Sequence, residues 1–375
     1  MKFNKVILYY LIILFALSLC FHLLLLRISK KSHIGFLVTE KNYRNICSYI
    51  YRDKVKDFTA FNDEFIFRKA DDILIPYNIT VEEEELELPI AFAILVHTDV
   101  VLFKYLLRLI YRHHNFYCIH IDSKAGELFR KQIEKYTENY TNIKLVLPQM
   151  SSSVEWGRNS VLEAQLKCAK ESLKSKVTWK YWINLTGQEF PLKTNLELVR
   201  IIKSLRRKDL IEAGSQIMPE RLPNKTLPFS VSWYKGLTFI LVQRSFVNFL
   251  FDNDMIKQLY NSYHDQSFPE EQFYQTIYFN PIFKYPESCL LTKDMDGITN
   301  HVRYVIWSKC NNRIVHEVCI LGYSHVSSLI KSPKLFANKF NHNYQPLAYK
   351  CLIDWYLEVA QNPRDFKKDF SHIKC

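Results

Sequence analysis

The sequence predicts an α/β domain built on a mostly parallel sheet. Continuous apolar runs of strand length recur along it, and amphipathic stretches of helix length separate them at βαβ spacing. Composition agrees. Of 375 residues, 48% are hydrophobic and 15% aromatic, with only 8 glycines. That is ample for a packed core and unlike a repeat or low-complexity chain.

Taken in order, residues 1–5 form a short tail. The 21-residue stretch Val6–Leu26 then carries no charge and is bracketed by Lys2, Lys5, Arg27, Lys30 and Lys31. A helix of about 20 apolar residues crosses the hydrocarbon, and no small-residue cleavage site follows. The expectation is an uncleaved transmembrane signal-anchor over 6–26. Basic residues flank both ends, so charge alone does not orient it. Asn78, Asn139, Asn184 and Asn224 each begin an Asn-x-Thr sequon, and eight of the nine cysteines follow the span. Together these favour a type II membrane protein with its domain in an oxidising lumen. Residues 27–88 read as a lumenal stem, ending in the acidic run Glu82–Glu87, which is expected to be solvated.

At Pro89 the character changes, and residues 89–375 are expected to form the globular domain. Ile90–Val96 is an uninterrupted apolar run, as a parallel strand buried on both faces requires. An amphipathic helix (100–113) and a second strand (116–122) follow. Helix 125–136, strand 143–147, helix 160–172 and strand 179–185 continue the alternation. Ligands of such sheets bind beyond the carboxyl ends of the strands, which puts His97, Asp122 and the turn at Trp156-Gly157-Arg158 on one rim. The second half is less regular, with strand candidates at 239–242 and 318–321 and helices over 245–250 and up to His264. Then comes Phe268-Pro269-Glu270-Glu271, running into an apolar, helix-like stretch. Proline with acids in a first turn is ordinary helix-start chemistry, so a catalytic role for Glu271 depends on its surroundings.

The net charge is +12. No zinc-finger spacing, RNP-like motif or long basic block accompanies it, which excludes nucleic acid and leaves an anionic membrane surface or phosphate-bearing ligands. Two Asp-x-Asp tripeptides occur, Asp252-Asn253-Asp254 and Asp294-Met295-Asp296. Neither closes a clear central strand, so no metal site is expected.

Four stretches are specific enough to carry a resemblance: Asn115–Asp122, Trp179–Thr194, Phe268–Glu271 and Phe336-Ala337-Asn338-Lys339-Phe340. Over about residues 88–355 the chain resembles the core-2/I-branching β-1,6-N-acetylglucosaminyltransferases, a family that also holds peptide O-xylosyltransferases. The resemblance implies a GT-A-like fold, a Golgi location and inverting sugar transfer from a UDP-sugar without a metal. UDP-GlcNAc would be the donor and an O-glycan-type glycan or glycoprotein the acceptor, with a homodimer left open. It implies Glu271 as general base and Lys339 as one of two cations on the departing diphosphate. The other family cation is an arginine, where this chain has His316, with Arg313 one turn away. A protonated His316, Arg313 reaching in, or weakened activity are the open alternatives. Val96, His97, Asp122 and Trp156 match the donor side, and Glu212 and Trp307 the acceptor side, with Arg221 a further candidate. Lys193 and Arg303 are read as solvated charge. Eight lumenal cysteines allow 105 pairings. The resemblance suggests Cys47–Cys351, Cys118–Cys168 and Cys310–Cys319, leaving Cys289 and Cys375 unassigned. The alternatives are a β-xylosyltransferase of the same family and a catalytically silent, membrane-anchored glycan-binding protein.

Overall fold

The structure, a computed structural model, describes residues 42–54, 77–206, 208–214, 222–223, 226–288 and 301–363, with the backbone of two short strands at 36–37 and 61–62. The expected span 6–26 lies outside them, as do Arg221, Asn224, Cys20, Cys289, Cys375, Asp294 and Asp296. Among the described residues no helix is long and apolar enough to cross a membrane. The chain divides into two units, Met1–Phe65 and Ile66–Cys375. In the first, strands β1 (Phe36–Leu37) and β2 (Phe61–Asn62) pair in parallel, and helix α1 (Tyr43–Tyr51) buries Ile46, Cys47 and Ile50.

The second unit begins, among its described elements, with a single helical turn, α2 (Glu83–Leu86). The alternation then runs β3 (Ile90–Val96), α3 (Val100–Ile110), β4 (Phe116–Ile121), α4 (Glu127–Thr137), β5 (Ile143–Leu145), α5 (Asn159–Leu173) and β6 (Tyr181–Thr186). Strand β7 (Glu189–Pro191), helix α6 (Asn195–Ser204) and the ribbon β8 (Ala213–Gly214) and β9 (Lys235–Gly236) follow. Next come β10 (Leu241–Gln243), α7 (Arg244–Asp252), α8 (Asp254–Ser262) and α9 (Phe273–Tyr278). The chain continues through β11 (Arg303–Tyr304), the hairpin β12 (Ile314–Val315) and β13 (Val318–Cys319), α10 (Tyr323–Ile330), β14 (Phe336–Asn338) and α11 (Pro346–Gln361).

The main sheet has the order β10-β6-β3-β4-β5. It is parallel except at β10, which pairs antiparallel with β6. Central β3 explains its own sequence. Ile90, Phe92, Ile94 and Val96 join one core, with Phe103, Leu106 and Leu107 of α3. Ala91 and Ala93 face the other core with Leu162, Cys168 and Ala169 of α5. Alanines there let α5 come close, and a Cys118–Cys168 disulfide joins β4 to α5. A second, three-stranded sheet, β11-β14-β7, follows from the turn after β6.

Several expectations are corrected. The acidic run is solvated only in part: Glu82, Glu83 and Glu87 are exposed, but the run is fastened to the domain through Glu84, Glu85 and Glu87. Glu85 is buried, accepts from Asn195 Nδ2 at 2.6 Å and lies 3.6 Å from Arg112 Nε. Glu84 pairs with Arg200 at 2.7 Å and Glu87 with Lys203 at 3.0 Å. Residues 77–88 therefore belong to the unit that holds the sheet. Arg303 is fully buried, with Glu189 Oε2 2.7 Å from its Nε and the rings of Phe239 and Phe336 beside it. Lys193 is buried too, and its Nζ donates to Ser332 O at 2.7 Å. Neither is solvated charge. Asn184 cannot carry a glycan from its place in β6. It is buried, its amide donates to Thr238 O at 2.6 Å, and its oxygen accepts from Ile240 N at 3.0 Å. Asn78 and Asn139 stand exposed.

Candidate active site

The rim beyond the carboxyl ends of β3 and β4 gathers residues far apart in sequence. Asp122 follows β4 directly, and its backbone N–H donates to Val96 O at 2.9 Å, so the two strand ends are tied. Its carboxylate is buried and accepts from Lys124 N at 2.8 Å. His97, next after β3, is held neutral more readily than a free imidazole. Desolvation is the main cause, then the Lys339 charge; His316 and Lys124 add to it, and Asp122 opposes. Lys339 directly follows β14, and its carbonyl accepts from Leu321 N at 2.8 Å, which ties its segment to the end of the β12–β13 hairpin. Lys339 itself has a lowered pKa because burial disfavours its charge.

His316 is set there by its hairpin. Cys310 and Cys319 are bonded, and the two-residue tip, His316-Glu317, has φ of 49° and 62°. Both residues thus sit in the left-handed region that a tight two-residue hairpin demands. The tip lays the His316 ring on the indole of Trp156, with centroids 5.4 Å apart and planes 21° apart. Trp156 in turn meets Phe268 edge-on at 4.8 Å. Arg313 stands exposed at the base of the hairpin.

The Trp156 turn also places Glu271. Gly157 has φ +72°, and a Cβ there would lie 2.9 Å from the Phe268 ring. Its carbonyl accepts from Phe268 N at 2.9 Å. Phe268 takes a left-handed conformation, and Pro269–Glu271 forms its own 3₁₀ turn rather than the first turn of α9. The break at Gln272 separates them. This sends the two carboxylates different ways. Glu270 is buried, whereas Glu271 stays 24% exposed with Lys235 Nζ 3.7 Å from its Oε2.

Of the residues expected on the acceptor side, Glu212 directly precedes β8, and its Oε1 accepts from the backbone N–H of His301. Trp307, expected there too, is 46% exposed. Among the described residues no group of three His, Cys, Asp or Glu is arranged to hold a metal ion. Asp254 points into solvent and pairs with Lys257 at 2.8 Å. Cys47 and Cys351 are each disulfide-bonded. Sequence reasoning missed Lys124 and Lys235. Lys124 lies in an irregular stretch and Lys235 on the two-residue strand β9, both too short for periodicity or a motif to mark a residue, and only the folded chain sets Lys235 beside Glu271.

Asp99 and His342 brace the Lys339 segment. Asp99 caps α3, accepts from His342 N at 3.0 Å, and has His342 Nδ1 2.8 Å from its other oxygen. The hydrogen bond to Asp99 raises the His342 pKa, burial opposing it. A raised folded pKa stabilises the fold fully below the unfolded value, about 6.5, and the gain fades as pH rises through the folded value. The melting temperature of His342→Gln is therefore expected to fall below wild type most at about pH 5.5 and least at about pH 8. A gap of equal size at both pH values would refute the protonated pair.

The fold and this rim define an α/β enzyme whose site opens beyond the strand ends, and comparison gives its class. The family model for Core-2/I-Branching enzyme matches residues 90–330. A mouse protein, beta-1,3-galactosyl-O-glycosyl-glycoprotein beta-1,6-N-acetylglucosaminyltransferase 4, is 30% identical over 306 residues, 73% of this chain and 67% of its own. Human N-acetyllactosaminide beta-1,6-N-acetylglucosaminyl-transferase is 31% identical over 302 residues, 73% of each chain. Among solved structures, the yeast (S. cerevisiae) mannosyltransferase Ktr4p in complex with GDP aligns with 64% of this chain and 81% of its own. At 10% identity and a TM-score of 0.32, that likeness bears no weight. The protein is a glycosyltransferase. It belongs to the Core-2/I-Branching enzyme family.

Proposed function

We propose that the protein transfers N-acetylglucosamine from UDP-GlcNAc, with inversion and without a metal, to the 6-hydroxyl of a galactose or GalNAc in an O-glycan-type acceptor. Glu271 takes the proton of that hydroxyl as its oxygen attacks the anomeric carbon. The bond from that carbon to the diphosphate breaks, and UDP departs with the negative charge. Lys339 stabilises that charge, helped by His316 or Arg313. Val96, His97, Asp122 and Trp156 hold the nucleotide; Glu212 and Trp307, with Arg221, hold the acceptor. The setting is the Golgi lumen, with the chain anchored by residues 6–26.

The observation that carries this reading is the build of the site: Asp122 is tied to Val96 at the strand ends, Lys339 is tied to the end of the β12–β13 hairpin through Leu321, and that hairpin's His316 stacks on Trp156 beside the Glu271 turn. The names of the two relatives support the donor and linkage. Incubating the purified full chain with UDP-GlcNAc, UDP-xylose and a panel of O-glycan acceptors, with and without EDTA, tests it. GlcNAc transfer in β-1,6 linkage, unchanged by EDTA, is the expected result. Transfer that stops in EDTA overturns the metal-free mechanism, xylose transfer overturns the donor, and acceptor binding without turnover overturns the activity.

A further inference from the structure

Lys235 has no part in the reading above, yet the fold fastens it beside Glu271. It lies on β9, and the segment around β9 is bolted to the helix that follows Glu271. Tyr234 N donates to Thr276 Oγ1 at 3.3 Å, and Gln275 Nε2 donates to Leu237 O at 2.7 Å. Asn280 closes the same seam from both sides. Its Oδ1 accepts from Ser232 N at 2.9 Å and its Nδ2 donates to Ser232 O at 2.7 Å. Across the ribbon, Gly236 packs so tightly that a Cβ would lie 1.9 Å from the Glu212 carbonyl oxygen. The backbone on both sides of Lys235 is thus held against α9, and its Nζ stands 3.7 Å from Glu271 Oε2.

We propose that Lys235 is a positioning residue for the transfer reaction: it orients the Glu271 carboxylate and keeps it ionised in mildly acidic surroundings. The inference rests on Glu271 being the base. An ammonium within about 4–6 Å favours the charged form of a carboxylate. The other titratable groups on the elements around this turn are Glu270 in the turn itself, Tyr274 and Tyr278 on α9, and Glu163, Lys167, Lys170 and Glu171 on α5. Glu163 and Lys167 pair with each other at 2.7 Å. Across the Trp156 turn lies His316.

The test is the pH profile of kcat/KM for the full chain with UDP-GlcNAc and its best acceptor. Both groups of the pair are about a quarter exposed, so solvent screening keeps the effect modest. Lys235→Met is expected to move the acid limb up by roughly 0.5–1 pH unit. The rate then falls several-fold near pH 5.5 and approaches wild type near pH 8. Lys235→Arg is expected to restore the wild-type limb. Lys235→Gln, which keeps a polar chain, is the second variant should Met not fold, with the same shift expected. A profile scaled equally at every pH overturns the proposal. Glu271→Gln, assayed alongside, tests the reading beneath it: turnover at the wild-type rate there refutes Glu271 as the base, whatever Lys235 does.

Discussion

Glu271→Gln is expected to lower kcat by roughly 10²–10⁴-fold, the usual share of a positioned general base. The amide has the size of the carboxylate and cannot take a proton, so the loss is chemical. The side chain is 24% exposed and its Lys235 partner 26%, and losing such a pair costs about 1 kcal/mol or less. The melting temperature should therefore stay close to wild type. UDP affinity should also hold, because the nucleotide residues of the proposed site lie on the rim around His97. Isothermal titration with UDP beside steady-state kinetics checks both. A variant that keeps wild-type turnover would move the base elsewhere, and one that loses UDP binding would make Glu271 part of the donor pocket.

Glu189→Ala should cost about 3–5 kcal/mol of stability, because it strands a buried guanidinium. Both side chains are fully inaccessible, and Arg303 Nε lies 2.7 Å from Glu189 Oε2. Burial acts against the charged form of each, lowering the Arg303 pKa and raising that of Glu189, and each partner's charge opposes the shift of the other. Glu189 also accepts from Thr186 N at 3.0 Å and Asn338 Nδ2 at 3.4 Å. Asn338 immediately precedes Lys339, so the pair supports the cation proposed to hold the diphosphate. Denaturant unfolding measures the loss. A change below about 1 kcal/mol would mean that water reaches Arg303. A Glu189→Gln, Arg303→Met double variant should recover part of the loss, since it removes both charges together.

The β3–α3–β4 alternation was legible because a strand buried on both faces must be apolar throughout, and Ile90–Val96 is. The rim residues His97 and Asp122 followed from where those runs end. Glu85, Arg303 and Asn184 were misread for a common reason. A charged or amide side chain looks solvated in local sequence, and only a distant partner makes its burial tolerable. Glu85 meets Asn195, 110 residues away, and Arg303 meets Glu189.

By itself, the sequence determined the α/β class and the strand ends that form the rim, and its family motifs pointed to Glu271 and Lys339 as the candidates proposed for base and cation. The tertiary structure alone decided that Pro269–Glu271 is a separate turn, that His316 lies on Trp156 and that Lys235 faces Glu271. Periodicity records which side of an element is apolar. The meeting of two side chains depends on loop geometry and long-range packing, which no local pattern encodes.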